Sequence, residues 1–278
     1  MSARLAVLAG IDPTGGAGLA LDLRVAHRLG LSPALAPTCL TVQGRTGFVA
    51  ANATDPGVLI AMLHAIRREG VPHAIKLGLC ADAATVAVIA SWYAGLPSPR
   101  PALVVDPVLS ATAGGGPREA AAVARALVGE LVPLGAILTP NLPELAALTG
   151  LEHDAGAAAL LARGAEAVLV KGGHGDGELA IDVLHSRQAR REFAHARLRR
   201  GPVHGTGCAL ASGIAARLAR GVELRAAVSD AIDDVVRWIA DTPDSGDGLP
   251  DAIAVGAREA QPSPSAAWPP NSSSISGR

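Results

Sequence analysis

The chain has 278 residues, 49% of them hydrophobic, which is enough for one large α/β domain or two small ones with a sizeable core. A formal net charge of -1 leaves no basic face for nucleic acid, and aromatics at 2% leave no base-stacking platform. Three cysteines without CxxC spacing argue against a disulfide scaffold or a zinc site, and no uninterrupted run of about 18 apolar residues would cross a membrane. No signal-peptide pattern precedes Leu5, so the expected location is cytoplasmic.

In chain order, residues 5–10 read as a buried strand. Residues 16–29 read as a helix, because Leu19, Leu23, Ala26 and Leu29 recur at helical spacing. An apolar run at 34–42, a helix at 57–69, a strand at 73–79 and a helix at 82–93 follow. Then come a strand at 102–106, a helix at 118–131, a strand at 136–139, helices at 143–148 and 155–163, and a strand at 167–171. Strands near 178–185 and 192–198 precede two closing helices, 206–218 and 224–238. Strands alternating with helices predict an α/β fold whose mostly parallel sheet is covered on both faces. In such sheets ligands bind beyond the carboxyl ends of the strands. Asp12, Gln43, Asp106, Asn141 and Lys171 all fall at those ends. From Pro243 onward Pro, Ser, Gly and Asp dominate, so residues 1–242 are expected to form the domain and 243–278 a mostly disordered tail. One short helix at 249–259 is the expected exception.

Three segments carry chemistry. The first is His204-Gly205-Thr206-Gly207-Cys208, which leads straight into a small-residue helix. Gly205 and Gly207 let a ligand approach the backbone, and the N–H groups of the first turn converge on one spot with the helix dipole behind them. That is an anion hole suited to a transferred phosphoryl group. Cys208 in that turn is expected to have its pKa lowered from about 8.5 toward neutrality, so that it can take a proton from a hydroxyl. The plainer alternative is a packing helix with Cys208 as a small buried residue. The second segment, Gly10 to Gly18, follows a strand and opens a helix, and it matches neither a dinucleotide fingerprint nor a Walker loop. Its glycines, Gly10 first, let a substrate pack against backbone that Asp12 or Asp22 can hydrogen-bond; an ordinary turn is the alternative. The third, Thr139 to Glu144, offers an amide and a carboxylate suited to water-bound Mg²⁺ on nucleotide phosphates. Asn141 and Glu144 also fit a helix N-cap with its capping-box partner. Lys171 can set an ammonium against phosphate, and Asp106 adds an acid at the same edge.

In this order, AGIDPTGGAG with LDLR after it, LTVQGRTG, IKLGL, VVDPV, LTPNLPE, VLVKGGH and HGTGC resemble the hydroxymethylpyrimidine/phosphomethylpyrimidine kinases of thiamine biosynthesis, within the ribokinase-like superfamily. The matching pieces span about residues 5 to 240. The resemblance implies a three-layer fold with a central mostly parallel sheet flanked by helices, in a homodimer. It also implies phosphorylation of the hydroxymethyl group by ATP and Mg²⁺, then a second transfer to the monophosphate. Gln43 matches the residue that reads the pyrimidine, Leu79 one that lines the ring pocket, and Asp22 an acid near the substrate amino group. Gly10 and Val108 complete that set. Glu144, with Asn141, matches the motif that organises Mg²⁺, joined by Asp106. Lys171 and Thr206 match residues at the nucleotide phosphates, and Cys208 stands where sugar kinases of the superfamily carry a basic aspartate. The chain departs from the pattern at Ile11, at Leu19 to Arg24, and at Leu109 to Gly114, where the family often carries a lysine. A pyridoxal-type kinase on the same scaffold and a non-catalytic pyrimidine-binding protein are the alternatives. Retention of Asn141, Glu144, Lys171 and Cys208 counts against the second.

Overall fold

Segments that are apolar on both faces need cover on both faces, and the sheet supplies it. The computed structural model describes residues 3–109, 119–172, 178–198 and 203–256. The amino-terminal half contains β1 (Leu5–Ile11), α1 (Gly18–Arg28), β2 (Ala34–Gly44), β3 (Gly47–Ala53), α2 (Pro56–Glu69), β4 (Ala74–Leu77), α3 (Ala83–Ala94) and β5 (Ala102–Val105). Next come α4 (Ala120–Ala126), prolonged by a π-helical turn, then β6 (Ile137–Leu138), α5 (Leu142–Thr149), α6 (His153–Ala162) and β7 (Ala167–Val170). Last are β8 (Leu179–Ser186), β9 (Arg190–Ala196), β10 (Val203–His204), α7 (Thr206–Ala219), α8 (Leu224–Asp241) and β11 (Asp251–Ala252).

The main sheet runs β3-β2-β1-β4-β5-β6-β7-β8-β9. Strands β2 through β7 in that order are parallel; β3 at one edge and β8 and β9 at the other are antiparallel. Helices α1, α7 and α8 cover one face around Leu21, Val25, Ile214, Val228 and Trp238. The other helices cover the opposite face around Leu59, Leu63, Ile89, Leu145 and Leu160. The expected three-layer α/β architecture is therefore present. Among the described residues no helix is long and apolar enough to cross a membrane.

Helix α7 decides where the chemistry sits. Its buried face is Ala209, Ala211, Ser212, Ala215 and Ala216, so the helix lies close on β4 and β5. That short stand-off brings Thr206, Gly207 and Cys208 over the carboxyl ends of those strands.

Two segments differ from expectation. Strand β3 was not anticipated, because GFVAANA is short of β-branched residues and mostly half-exposed; it forms by hairpin pairing to β2 at the sheet edge. Residues 243–256, expected in a disordered tail with a helix from 249, instead form a loop and β11. That strand lies parallel to β10, and the Ile253 N–H donates to the His204 carbonyl at 3.0 Å. Ile253 is buried, and the Ala254 N–H donates to Thr242 Oγ1 at 2.9 Å. Non-local pairing of this kind leaves no local periodicity. The expected tail beyond residue 256 lies outside the described residues.

Candidate active site

Parallel β5, β6 and β7 deliver Asp106, Thr139 and Lys171 to one edge. Lys171 Nζ lies 3.0 Å from Asp106 Oδ1 and 3.7 Å from Glu144 Oε2. Burial works against its charge, but the two carboxylates more than offset this and hold its pKa above the usual lysine range. Burial conversely raises the Glu144 carboxyl, against the pull of Lys171. Asn141 and Glu144 form a full capping box on α5: the Glu144 N–H donates to Asn141 Oδ1 at 2.8 Å and the Asn141 N–H to Glu144 Oε2 at 2.9 Å. The cap orients Glu144 toward Lys171, so structural and charge roles coexist in one residue.

The turn before α7 seats on the Gly10 to Gly18 loop, the first glycine loop in the chain. Gly205 has φ +92°, and a Cβ there would collide with the Gly16 carbonyl and Leu21. Only glycine fits. A Cβ on Gly207 would stand 3.2 Å from Lys171 Nζ and 3.5 Å from Asp106 Oδ2, so its absence lets the helix terminus rest on that ion pair. His204 Nε2 sits 2.9 Å from Asp12 Oδ2, and Asp12 Oδ1 accepts from Thr14 N–H at 2.9 Å and Oγ1 at 2.8 Å. Burial would raise the Asp12 carboxyl, but His204 and Thr14 hold it below the usual range. Asp12 thus fastens the two loops together.

Cys208 occupies the first turn of α7 as expected, and the Gly18 N–H donates to it. Its pKa contradicts the expectation. Burial, reinforced by the Asp106 and Asp22 carboxylates, pushes the thiol up to about 12, although Lys76 pulls the other way. Loss of hydration outweighs the helix terminus here.

Asp22 sits deeper than the other acidic site candidates. It is fully buried under α7, with Oδ2 2.7 Å from Lys76 Nζ and Oδ1 2.7 Å from Ser212 Oγ. Both of its oxygens therefore have partners within the protein. Lys76 and Ser212 are the members that sequence reasoning missed. A signal existed: Asp22 lies in the apolar stripe of Leu19 and Val25, and Lys76 interrupts an otherwise apolar strand. Opposite charges stranded in two apolar elements imply each other.

At the end of β1, Gly10 adjoins Leu79, Thr41 and Cys39. Gln43 is half-buried near the end of β2, paired with Phe48. Val108 has φ +39°, strained for a β-branched residue and one step beyond Pro107. The departure at Ser110 to Gly114, like Gly173 and His174, lies outside the described residues.

A cavity of about 410 Å³ opens beside Lys171, Thr206 and Gly207. Leu210, Ile232, Val235 and Ile239 form its apolar wall, with Asp182 and His195 on the strand side. The Asp182 carboxylate, 3.4 Å from His195 Nε2, raises that histidine's pKa. None of this wall was predicted, since apolar residues of α8 read simply as core.

The phosphomethylpyrimidine kinase family model matches residues 12–251. A hydroxymethylpyrimidine/phosphomethylpyrimidine kinase from Rhizobium meliloti is 38% identical over 238 residues, 83% of this chain and 88% of that protein. A solved phosphomethylpyrimidine kinase from Clostridium difficile superposes with TM-score 0.74 at 27% identity, over 86% of this chain and 100% of that one. Pyridoxal kinase from Staphylococcus aureus, in a complex with pyridoxal, shares the fold with TM-score 0.82 at 23% identity, over 94% of this chain and 96% of that one.

Proposed function

The chain belongs to the phosphomethylpyrimidine kinase family, and from that premise we propose that it uses ATP to phosphorylate hydroxymethylpyrimidine and then its monophosphate. One observation carries the reading. Gly207 both lines the cavity and lies over the Lys171–Asp106 pair, one residue before Cys208. A nucleotide in the cavity then points its phosphates at Lys171 and the α7 terminus, and a hydroxymethyl group on the Gly10–Leu79 side meets Cys208.

In the transfer, the hydroxyl oxygen bonds to the γ-phosphorus, the bond to ADP breaks, and Cys208 Sγ as thiolate takes the hydroxyl proton. The N–H groups of the α7 terminus and the Lys171 ammonium stabilise charge on the moving phosphoryl group. Gln43 reads the ring and Leu79 packs against it. Two buried carboxylates, Asp106 and Glu144, face the single ammonium of Lys171, and that surplus of negative charge fits a divalent cation. These two residues would meet Mg²⁺ carried on the nucleotide, which when bound neutralises phosphate charge. Free thiols and ATP use both suit a cytoplasmic setting. A homodimer would cover the exposed Leu40, Val42 and Val49 of the β2–β3 hairpin.

The test is ATP consumption by purified protein with Mg²⁺, supplying the alcohol, its monophosphate and pyridoxal separately. No turnover of either pyrimidine would sink the reading; preference for pyridoxal would move the chain to the other substrate. Gln43→Ala should raise KM for the pyrimidine about 10- to 100-fold with KM for ATP unchanged. A defect confined to ATP would contradict the assignment of Gln43.

A further inference from the structure

Arg45 stands at the tip of the β2–β3 hairpin, two residues beyond Gln43, and reaches a segment some 200 residues away in sequence. Its Nη1 and Nη2 hold Asp247 at 2.7 and 2.8 Å in a two-pronged pair. Ser245 Oγ and Asp251 Oδ1 also lie 2.7 and 3.1 Å from Nη2, sharing its two hydrogens with Asp247, and Nε donates to the Pro250 carbonyl at 3.1 Å. The loop so gathered is closed on itself, since the Ser245 N–H donates to Asp251 Oδ2 at 3.1 Å and the Leu249 N–H to Asp247 Oδ1 at 3.0 Å. Asp251 and Ala252 then pair with Val203 and His204, immediately before Gly205. A Cβ on Gly16 would also stand 3.3 Å from the Ala252 Cβ, so the strand abuts the first glycine loop as well.

We propose that Arg45 is a positioning residue that fixes the pyrimidine-reading hairpin in register with the catalytic turn, using residues 244–252 as the connector. The hairpin edge has sheet support on one side only, through β2. Arg45 supplies an anchor within the subunit that ties the tip to His204–Cys208 through β11, and so sets the distance between the ring and the reacting oxygen. A planar guanidinium suits this task because its donors are fixed in one fork, and two carboxylates, a hydroxyl and a backbone carbonyl converge on it. A single exposed ion pair contributes little, but a network of this kind fixes geometry.

The proposal rests on the pyrimidine-kinase reading for its kinetic arm, and hydrogen exchange tests it independently of any substrate. In full-length Arg45→Ala and Asp247→Asn proteins, amide exchange at Ile253 and Ala254 should accelerate at least about tenfold, reflecting loss of the structure protecting them. In the same variants KM for the pyrimidine should rise about tenfold while KM for ATP stays within about twofold, as expected for lost pre-organisation at one substrate only. Arg45→Lys should recover only part of the pyrimidine KM, because an ammonium cannot make the fork. Unchanged exchange, an unchanged pyrimidine KM, or a parallel rise in both KM values would overturn the proposal. Inactivity of the unaltered protein toward pyrimidines would instead count against the substrate assignment, and the exchange result would still decide whether the clasp holds the strand.

Discussion

Replacing Cys208 with alanine is expected to lower kcat about 10²- to 10⁴-fold, the usual effect of removing a positioned general base. KM for ATP should stay within about twofold of the starting value by the same reasoning, because the cavity and Lys171 lie on the other side of Gly207. The thiol's high pKa shapes the pH behaviour. With the group pushed up to about 12, it is protonated across the neutral range, and the reactive thiolate is scarce but strongly basic. Each unit rise in pH below that value multiplies the thiolate fraction about tenfold. Alkylation of Cys208 by iodoacetamide, followed by peptide mass spectrometry, should therefore climb about tenfold per unit from pH 7 to 9 without levelling off. A plateau near pH 7 would show an activated thiolate and restore the helix-terminus expectation. An unchanged kcat in the alanine variant would reduce Cys208 to packing.

Much of the fold could be read from residues because parallel strands must be apolar on both faces. LAVLAGI and AVLV announce themselves that way, and the helices between them follow from spacing. The turn before α7 was legible for a different reason: Gly205, at φ +92°, stands where backbone meets backbone, and glycine there is a steric necessity, while Gly207 lies close over an ion pair. Partnerships formed across the chain were not legible. Strand β11 draws its order from Val203, His204 and Arg45, and nothing within SGDGLPDA announces them. The Cys208 pKa failed as an expectation for the same reason. Its helix position is written in the sequence, but the burial that chiefly raises it, and the Asp106 and Asp22 carboxylates that add to this, come from other elements. Asp22 stands on the buried stripe of α1, and its partner Lys76 arrives from β4, so their contact too is written across the chain.

That buried pair supports the second large prediction. Lys76 and Asp22 are both fully inaccessible, 2.7 Å apart, beneath the helix that carries Cys208. Burial disfavours the Lys76 charge, yet Asp22 close by, with Asp106 behind it, holds its pKa above the usual lysine range. Lys76→Met leaves the Asp22 carboxylate buried with only Ser212 for a partner, and removal of one member of such a pair costs about 3–5 kcal/mol. Urea unfolding should show that loss. Adding Asp22→Asn to Lys76→Met removes the stranded charge, so the double variant should be more stable than Lys76→Met alone, a non-additivity expected of groups in contact. A loss below about 1 kcal/mol in Lys76→Met, or strictly additive effects, would mean that the pair is not the charged, water-free contact described here. If the coupling is found, Lys76 has a consequence for chemistry too. It is the buried cation whose field favours the Cys208 thiolate, so its removal should further slow Cys208 alkylation at every pH. Looser packing would expose the thiol and speed alkylation, the opposite sign, so the direction of the change separates an electrostatic part for Lys76 from a purely structural one.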